Sequence, residues 1–138
     1  MKNSSIVTKL NRKTLLSTIW IFVVLNYLYC DVLGLMDSGM LAQLLSGNID
    51  GMHITQIFLL GSAILMEISM SMVLLSRILP YKANRIANII AGLITTVVQI
   101  ITLFVGTTTI YYIFFSIIEI TGTAAAFWLA LRWKNELE

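Results

Sequence analysis

The chain reads as an all-α protein: a polytopic membrane four-helix bundle with both termini cytoplasmic. Three observations predict this. Of its 138 residues, 58% are hydrophobic and only 12% charged, whereas soluble domains carry about a quarter charged residues. A core of this size cannot hide so much apolar surface from water, so lipid must take the rest. The apolar residues gather into four runs of spanning length, and all nine Lys and Arg residues fall outside two of the three connections between them.

The first span runs from about Thr14 to Met36. Lys2, Lys9, Arg12 and Lys13 precede it, which gives the start a signal-peptide flavour. The apolar stretch is longer than a signal core and no small-x-small site follows, so it is read as a helix that stays. A polar, glycine-containing connection follows, "DSGMLAQLLSGNIDGMH". The second span runs from about Ile54 to Leu79 and stops at Pro80, the only proline. Proline removes a backbone donor and disfavours helix in the residue before it. "YKANR" is then expected as a loop. From Ile86 to Ile118 no residue is charged. A single helix over that run would be ~50 Å long, against a hydrocarbon slab of ~30 Å. The run must turn, and Gly106-Thr107-Thr108-Thr109 is the place. The third span is therefore about 86–105 and the fourth about 110–132, all within one transmembrane domain, 1–138. Strand-like stretches such as "VGTTTIYYIFF" are overridden by lipid, where only a helix satisfies its own backbone.

Charge placement sets the expected direction. The N-terminal tail, the second connection (Arg77, Lys82, Arg85) and the C-terminal tail (Arg132, Lys134) hold every basic residue. The first connection holds Asp37, Asp50 and His53 instead. Basic residues stay cytoplasmic, which expects N-in and C-in. Tyr111 and Tyr112 then mark the outer interface and Trp133 the inner one. The basic residues form no stripe, so no nucleic-acid partner is expected.

Each span carries a strongly polar residue. Asp31 is ~25 Å above the inner end of the first helix, near the outer boundary. Asn26 lies deeper, Glu67 sits mid-span in the second helix, and Gln99 and Glu119 fall in the outer halves of the third and fourth. Spacings of three and four place Gly92, Thr95, Thr96, Gln99, Thr102 and Gly106 on one face. Tyr112, Ser116, Glu119, Thr123 and Ala126 share a face, as do Gln56, Ala63, Glu67 and Ser71. Tyr27 with Asp31, and Asn26 with Cys30, are each one turn apart. Small and polar faces pack inward in membranes, so these faces are expected to meet in an acidic interior open to the outside.

No Lys or Arg lies within a span to pair with these acids; His53, at the outer end of the second, is the only other candidate. A carboxylate at the bilayer centre costs at least ~2.5 kcal/mol. Either the carboxyls are neutral hydrogen-bond donors that pin helices in register, or a cation from outside the chain neutralises them. Asp31 also suits the headgroup region, with Tyr29 as an anchor. The pairs Met66/Met70 and Met36/Met40, with Cys30 and His53, are a donor set suited to copper(I). The same methionines and the cysteine serve equally as core filler. No metal or cofactor is assigned.

"LSTIWIFVVLNYLYCDVLGLMD", Met66-Glu67, "LLSRILPYKANRIANIIAG" and "YYIFFSIIEI" together resemble an uncharacterised family of small prokaryotic four-helix integral membrane proteins, from about Leu15 to Trp133. The resemblance implies a four-helix fold in a prokaryotic cell (inner) membrane and supplies no activity. In layout the chain is more loosely similar to small multidrug transporters and to DoxX-like proteins. Its acids lie in the first, second and fourth spans, which departs from the multidrug pattern.

The functional expectation is binding or transport of a cation, a proton or a small cationic or amphipathic ligand. Glu67 and Glu119 would hold it, and Asp31, Asn26, Tyr27 and Gln99 would shape the entry. A transporter of four short helices would be expected as a homodimer in the lipid bilayer. Two alternatives stand beside it: a structural or interaction protein with neutral buried acids, and a membrane enzyme acting on a lipid or quinone, more readily the former since no catalytic motif occurs.

Overall fold

A computed structural model describes residues 11–134. Five helices and one small hairpin follow in order: α1 (Arg12–Met36), α2 (Ser38–Ser46), β1 (Asn48–Ile49), β2 (Met52–His53), α3 (Gln56–Ile78), α4 (Tyr81–Leu103) and α5 (Ile110–Leu131). Four of them, α1, α3, α4 and α5, are each long and apolar enough to cross a membrane. At about 1.5 Å per residue they are ~35 Å long. Going round the bundle, α1 packs on α3 and α5, and α4 packs on α5 and, more sparsely, on α3.

The two ends of the bundle differ in charge. Every Lys and Arg among the described residues lies at the end that holds Pro80, the start of α1 and the end of α5. Lys2 and Lys9 lie outside the described residues. Here Arg12 donates to the carbonyl of Leu129 (3.0 Å), and Arg85 donates to those of Ala130 (3.2 Å) and Leu131 (3.0 Å). The last carbonyls of a helix have no partner within it. Guanidinium groups satisfy them and complement the negative pole of the helix dipole.

The same end is the tightly packed one. Leu16, Trp20, Met72, Ala91 and Ala126 form the buried apolar cluster. Packing is helped by small residues, since helices in lipid gain from close approach rather than from escaping water. A Cβ on Gly92 would lie 3.0 Å from that of Phe127 and 3.1 Å from the Thr123 carbonyl oxygen. A Cβ on Gly122 would lie 2.7 Å from a methyl of Val23. A polar network runs through this packing. Trp20 donates to Asn88 (2.7 Å), Asn88 donates to the side-chain oxygen of Asn84 (2.7 Å), and Asn84 donates to the carbonyl of Ser76 (2.6 Å). The Ser17 hydroxyl donates to the carbonyl of Val73 (2.7 Å) and accepts from Arg77 (3.1 Å).

Three features depart from the expectations. The "YKANR" segment is the first turn of α4, not a loop. Leu79 is extended (ψ 145°) and Pro80 occupies the N-cap; proline forces the residue before it out of the helix yet suits a helix start. The connection after α1 is ordered rather than merely polar. Asp37 caps α2 by accepting from the N–H groups of Gly39 (2.9 Å) and Met40 (3.1 Å), and Gly47 ends it in the left-handed region (φ 74°). The two-residue turn Asp50-Gly51, both with positive φ (48° and 83°), then joins β1 to β2, as expected of an Asp-Gly hairpin. Finally, α3 turns a different face inward. Ser69, Met72 and Ser76 are its buried residues, while Gln56, Ala63 and Glu67 are exposed.

Candidate functional site

Away from the Pro80 end the bundle loosens. The buried residues of α3 all lie in its second half, and none falls between Gln56 and Ile68. Those of α4 stop at Thr95. Between these diverging halves, α1 and α5 line a cavity of about 480 Å³. Its roof is built by α2, the hairpin and the α4–α5 connection, which contribute Met40, Ile49, Asp50, Met52 and Thr107 to the lining.

The roof is tied together by one carboxylate. Asp50 accepts from the Thr107 N–H (3.2 Å) and from the Thr107 hydroxyl. Gly106, at φ 82°, passes so close that a Cβ there would collide with the Asp50 carboxylate. Only glycine combines that backbone conformation with that approach.

Glu119 lies deepest in the cavity wall. It is 1% exposed, and its Oε1 has no hydrogen-bond partner among the described residues. Tyr27, Cys30, Asp31 and Tyr112 line the same cavity and lie within electrostatic reach of Glu119. Gln99 lines it from α4 and donates to the Ser116 hydroxyl (2.9 Å), which holds its amide across the α4–α5 interface. One turn below Glu119, Thr123 accepts from Thr96 (2.8 Å). Much of the remaining wall is apolar, with Phe58, Leu65 and Met66 from α3, Val98 from α4 and Val105 from the α4–α5 connection. An unpaired carboxyl oxygen in such a wall can neutralise a cation or donate and accept hydrogen bonds once protonated; in low-dielectric surroundings either interaction is strong.

Of the six residues singled out in the sequence, four line this cavity: Tyr27, Asp31, Gln99 and Glu119. Asp31 is the exposed one, at the rim. Asn26 does not reach it, and its amide donates to the carbonyl of Phe22 in its own helix (2.8 Å). Glu67 also lies outside, exposed on α3, where it accepts from Ser71 (3.2 Å). The periodic reading weights the Glu67 carboxyl above Ser69 and Ser76, and on α3 those two serines win. They are small enough to let α3 approach its neighbours at the Pro80 end. Residues not singled out include Asp50 and Thr107, for which the Asp-Gly dipeptide is the available signal, and Ser116, which lies on the Glu119 face. Cys30, read as filler, is buried against the cavity. Among the described residues no group of three or more His, Cys, Asp or Glu side chains is placed to hold a metal.

No curated protein and no solved structure matches the chain. One family does: its profile aligns with residues 5–138, nearly the entire length and every element described above. The chain belongs to DUF6326, a family of unknown function.

Proposed function

We propose that this membrane protein binds a small organic cation in the cavity at the α2 end, with Glu119 as the principal counter-ion and Asp31, Tyr27 and Gln99 shaping the entry. The observation that carries the reading is the buried Glu119 carboxyl, whose Oε1 has no partner among the described residues and which borders an otherwise largely apolar cavity. A buried carboxyl left without partners is costly, and a cation bound there would offset that cost. Transport of the cation, or its exchange for a proton, is the activity that goes with this chemistry. Glu67, outside the cavity, and the thinly covered α3 support a second copy of the chain as a neighbour in the bilayer.

The charge asymmetry supports an orientation in which the Pro80 end and both termini face the cytoplasm and the cavity roof faces outward. The resemblance to small prokaryotic four-helix proteins supports a prokaryotic cell membrane as the location.

The test is binding of alkylammonium probes to lipid-reconstituted protein, read by infrared difference spectra of the carboxyl bands. The wild type and Glu67→Gln are expected to bind alike, and Glu119→Gln to lose affinity by about tenfold or more, the effect of removing one buried charge interaction. Equal binding by Glu119→Gln, or no binding by the wild type, would overturn the reading.

A further inference from the structure

The cavity has a packed floor, a tied roof and one thinly packed flank. Below it the Pro80 end is packed by Trp20, Met72, Ala91 and Ala126. Above it the roof is tied by Asp50 to Thr107. On the α1–α5 side the helices stay close along their length: a Cβ on Gly122 would meet Val23, and one on Gly34 would lie 3.6 Å from the Tyr111 hydroxyl. The α4–α5 flank is tied by Gln99 to Ser116 and by Thr96 to Thr123, and α1 packs on α3 more extensively than α4 does; the thin flank is the seam between the α2-end halves of α3 and α4. There α3 buries no residue before Ser69 and α4 none beyond Thr95. Both halves nevertheless line the cavity, α3 with Leu65 and Met66 and α4 with Val98 and Gln99.

We infer that the cavity opens sideways into the bilayer through this α3–α4 seam, and that its ligand is an amphiphile with a cationic head and an alkyl tail, taken from the lipid phase. The inference rests on the cation reading above and narrows it. The head would meet Glu119 and Asp31, because no span among the described residues contributes a basic residue to the cavity. The tail would lie along the apolar wall of the seam. A small hydrophilic cation has no reason to enter from that side, since hydrocarbon excludes it. An amphiphile is already concentrated in the membrane and reaches the seam with its charge at headgroup depth.

A photo-reactive benzophenone amino acid at Leu65, half-buried on the cavity wall, tests this in lipid nanodiscs, with the exposed Leu74 as the control position. Irradiation is expected to yield lipid acyl-chain adducts at both positions. Dodecyltrimethylammonium should suppress the adduct at Leu65 but not at Leu74, tetramethylammonium should suppress neither, and Glu119→Gln should abolish the suppression. Lipid adducts at Leu74 but none at Leu65 would overturn the sideways opening. An adduct at Leu65 that dodecyltrimethylammonium leaves unchanged would overturn the amphiphile. In both of those cases Glu119-dependent infrared binding of tetramethylammonium would still uphold the cation reading. Absence of binding by every alkylammonium tested would remove both.

Discussion

The indole N–H of Trp20 donates to the side-chain oxygen of Asn88 at 2.7 Å, across the α1–α4 diagonal of the bundle. Both side chains are fully buried. Asn88 also hydrogen-bonds the Ser76 hydroxyl of α3, so one amide on α4 is joined both to α3 and to α1, a helix that does not otherwise lie beside α4. In hydrocarbon such bonds are worth ~1–2 kcal/mol at most, but a donor stranded by the loss of its acceptor costs more.

Asn88→Ala is therefore expected to lower unfolding free energy by about 2 kcal/mol, measured by denaturant titration in mixed micelles. Trp20→Phe, which removes the donor, should cost less in the Asn88→Ala background than in the wild type. Additive losses would show that the bond is not the shared cause.

Gly92 is where α4 comes closest to α5. Gly92→Ala places a methyl group 3.0–3.1 Å from Phe127 and the Thr123 carbonyl, and overpacking of this kind costs ~1–3 kcal/mol. Gly61, on the open half of α3, has nothing within 4 Å of where its Cβ would be. Gly61→Ala should leave stability unchanged or raise it slightly, by about 0.5 kcal/mol. Thermal unfolding of the two variants side by side checks the contrast, and equal effects would contradict the packing gradient along the bundle.

Cys30 is the only cysteine and lines the cavity, so it reports on the roof. Breaking the Asp50–Thr107 tie with Asp50→Ala is expected to raise the rate at which a charged, water-soluble thiol reagent modifies Cys30, by about tenfold, an opening worth ~1.4 kcal/mol. A lipophilic thiol reagent should react at similar rates in both proteins. No change with the charged reagent would mean that Asp50 does not keep the roof shut.

How much of this was legible in the sequence depends on what the signal has to compete with. The four spans are plain because lipid imposes helix length and hydropathy on every one of them. The inward face of α5 is plain too: Ser116, Glu119, Thr123 and Ala126 follow spacings of three and four, and all four are buried. On α3 the same logic gives the wrong face. Glu67 competes there with Ser69 and Ser76, and periodicity cannot weigh a carboxyl's chemistry against a serine's small volume. The start of α4 shifts because proline carries two opposite instructions, one for the residue before it and one for the helix after it. The Asp50 tie is invisible in sequence, since it joins two turns 57 residues apart that only the assembled bundle brings together.

Fastening the bundle at one end makes α3 a lever. Its fulcrum is the packed half that runs from Ser69 to the Leu79-Pro80 turn, where the chain doubles back directly into α4, and its free arm, Gln56 to Ile68, is ~20 Å long. A tilt of ~12° about that point would carry the far end of the arm by ~4 Å, close to the width of an alkyl chain. Aperture and stability are thereby assigned to different residues: Leu65 and its neighbours can change what passes, while Trp20 and Asn88 hold the hinge unaltered.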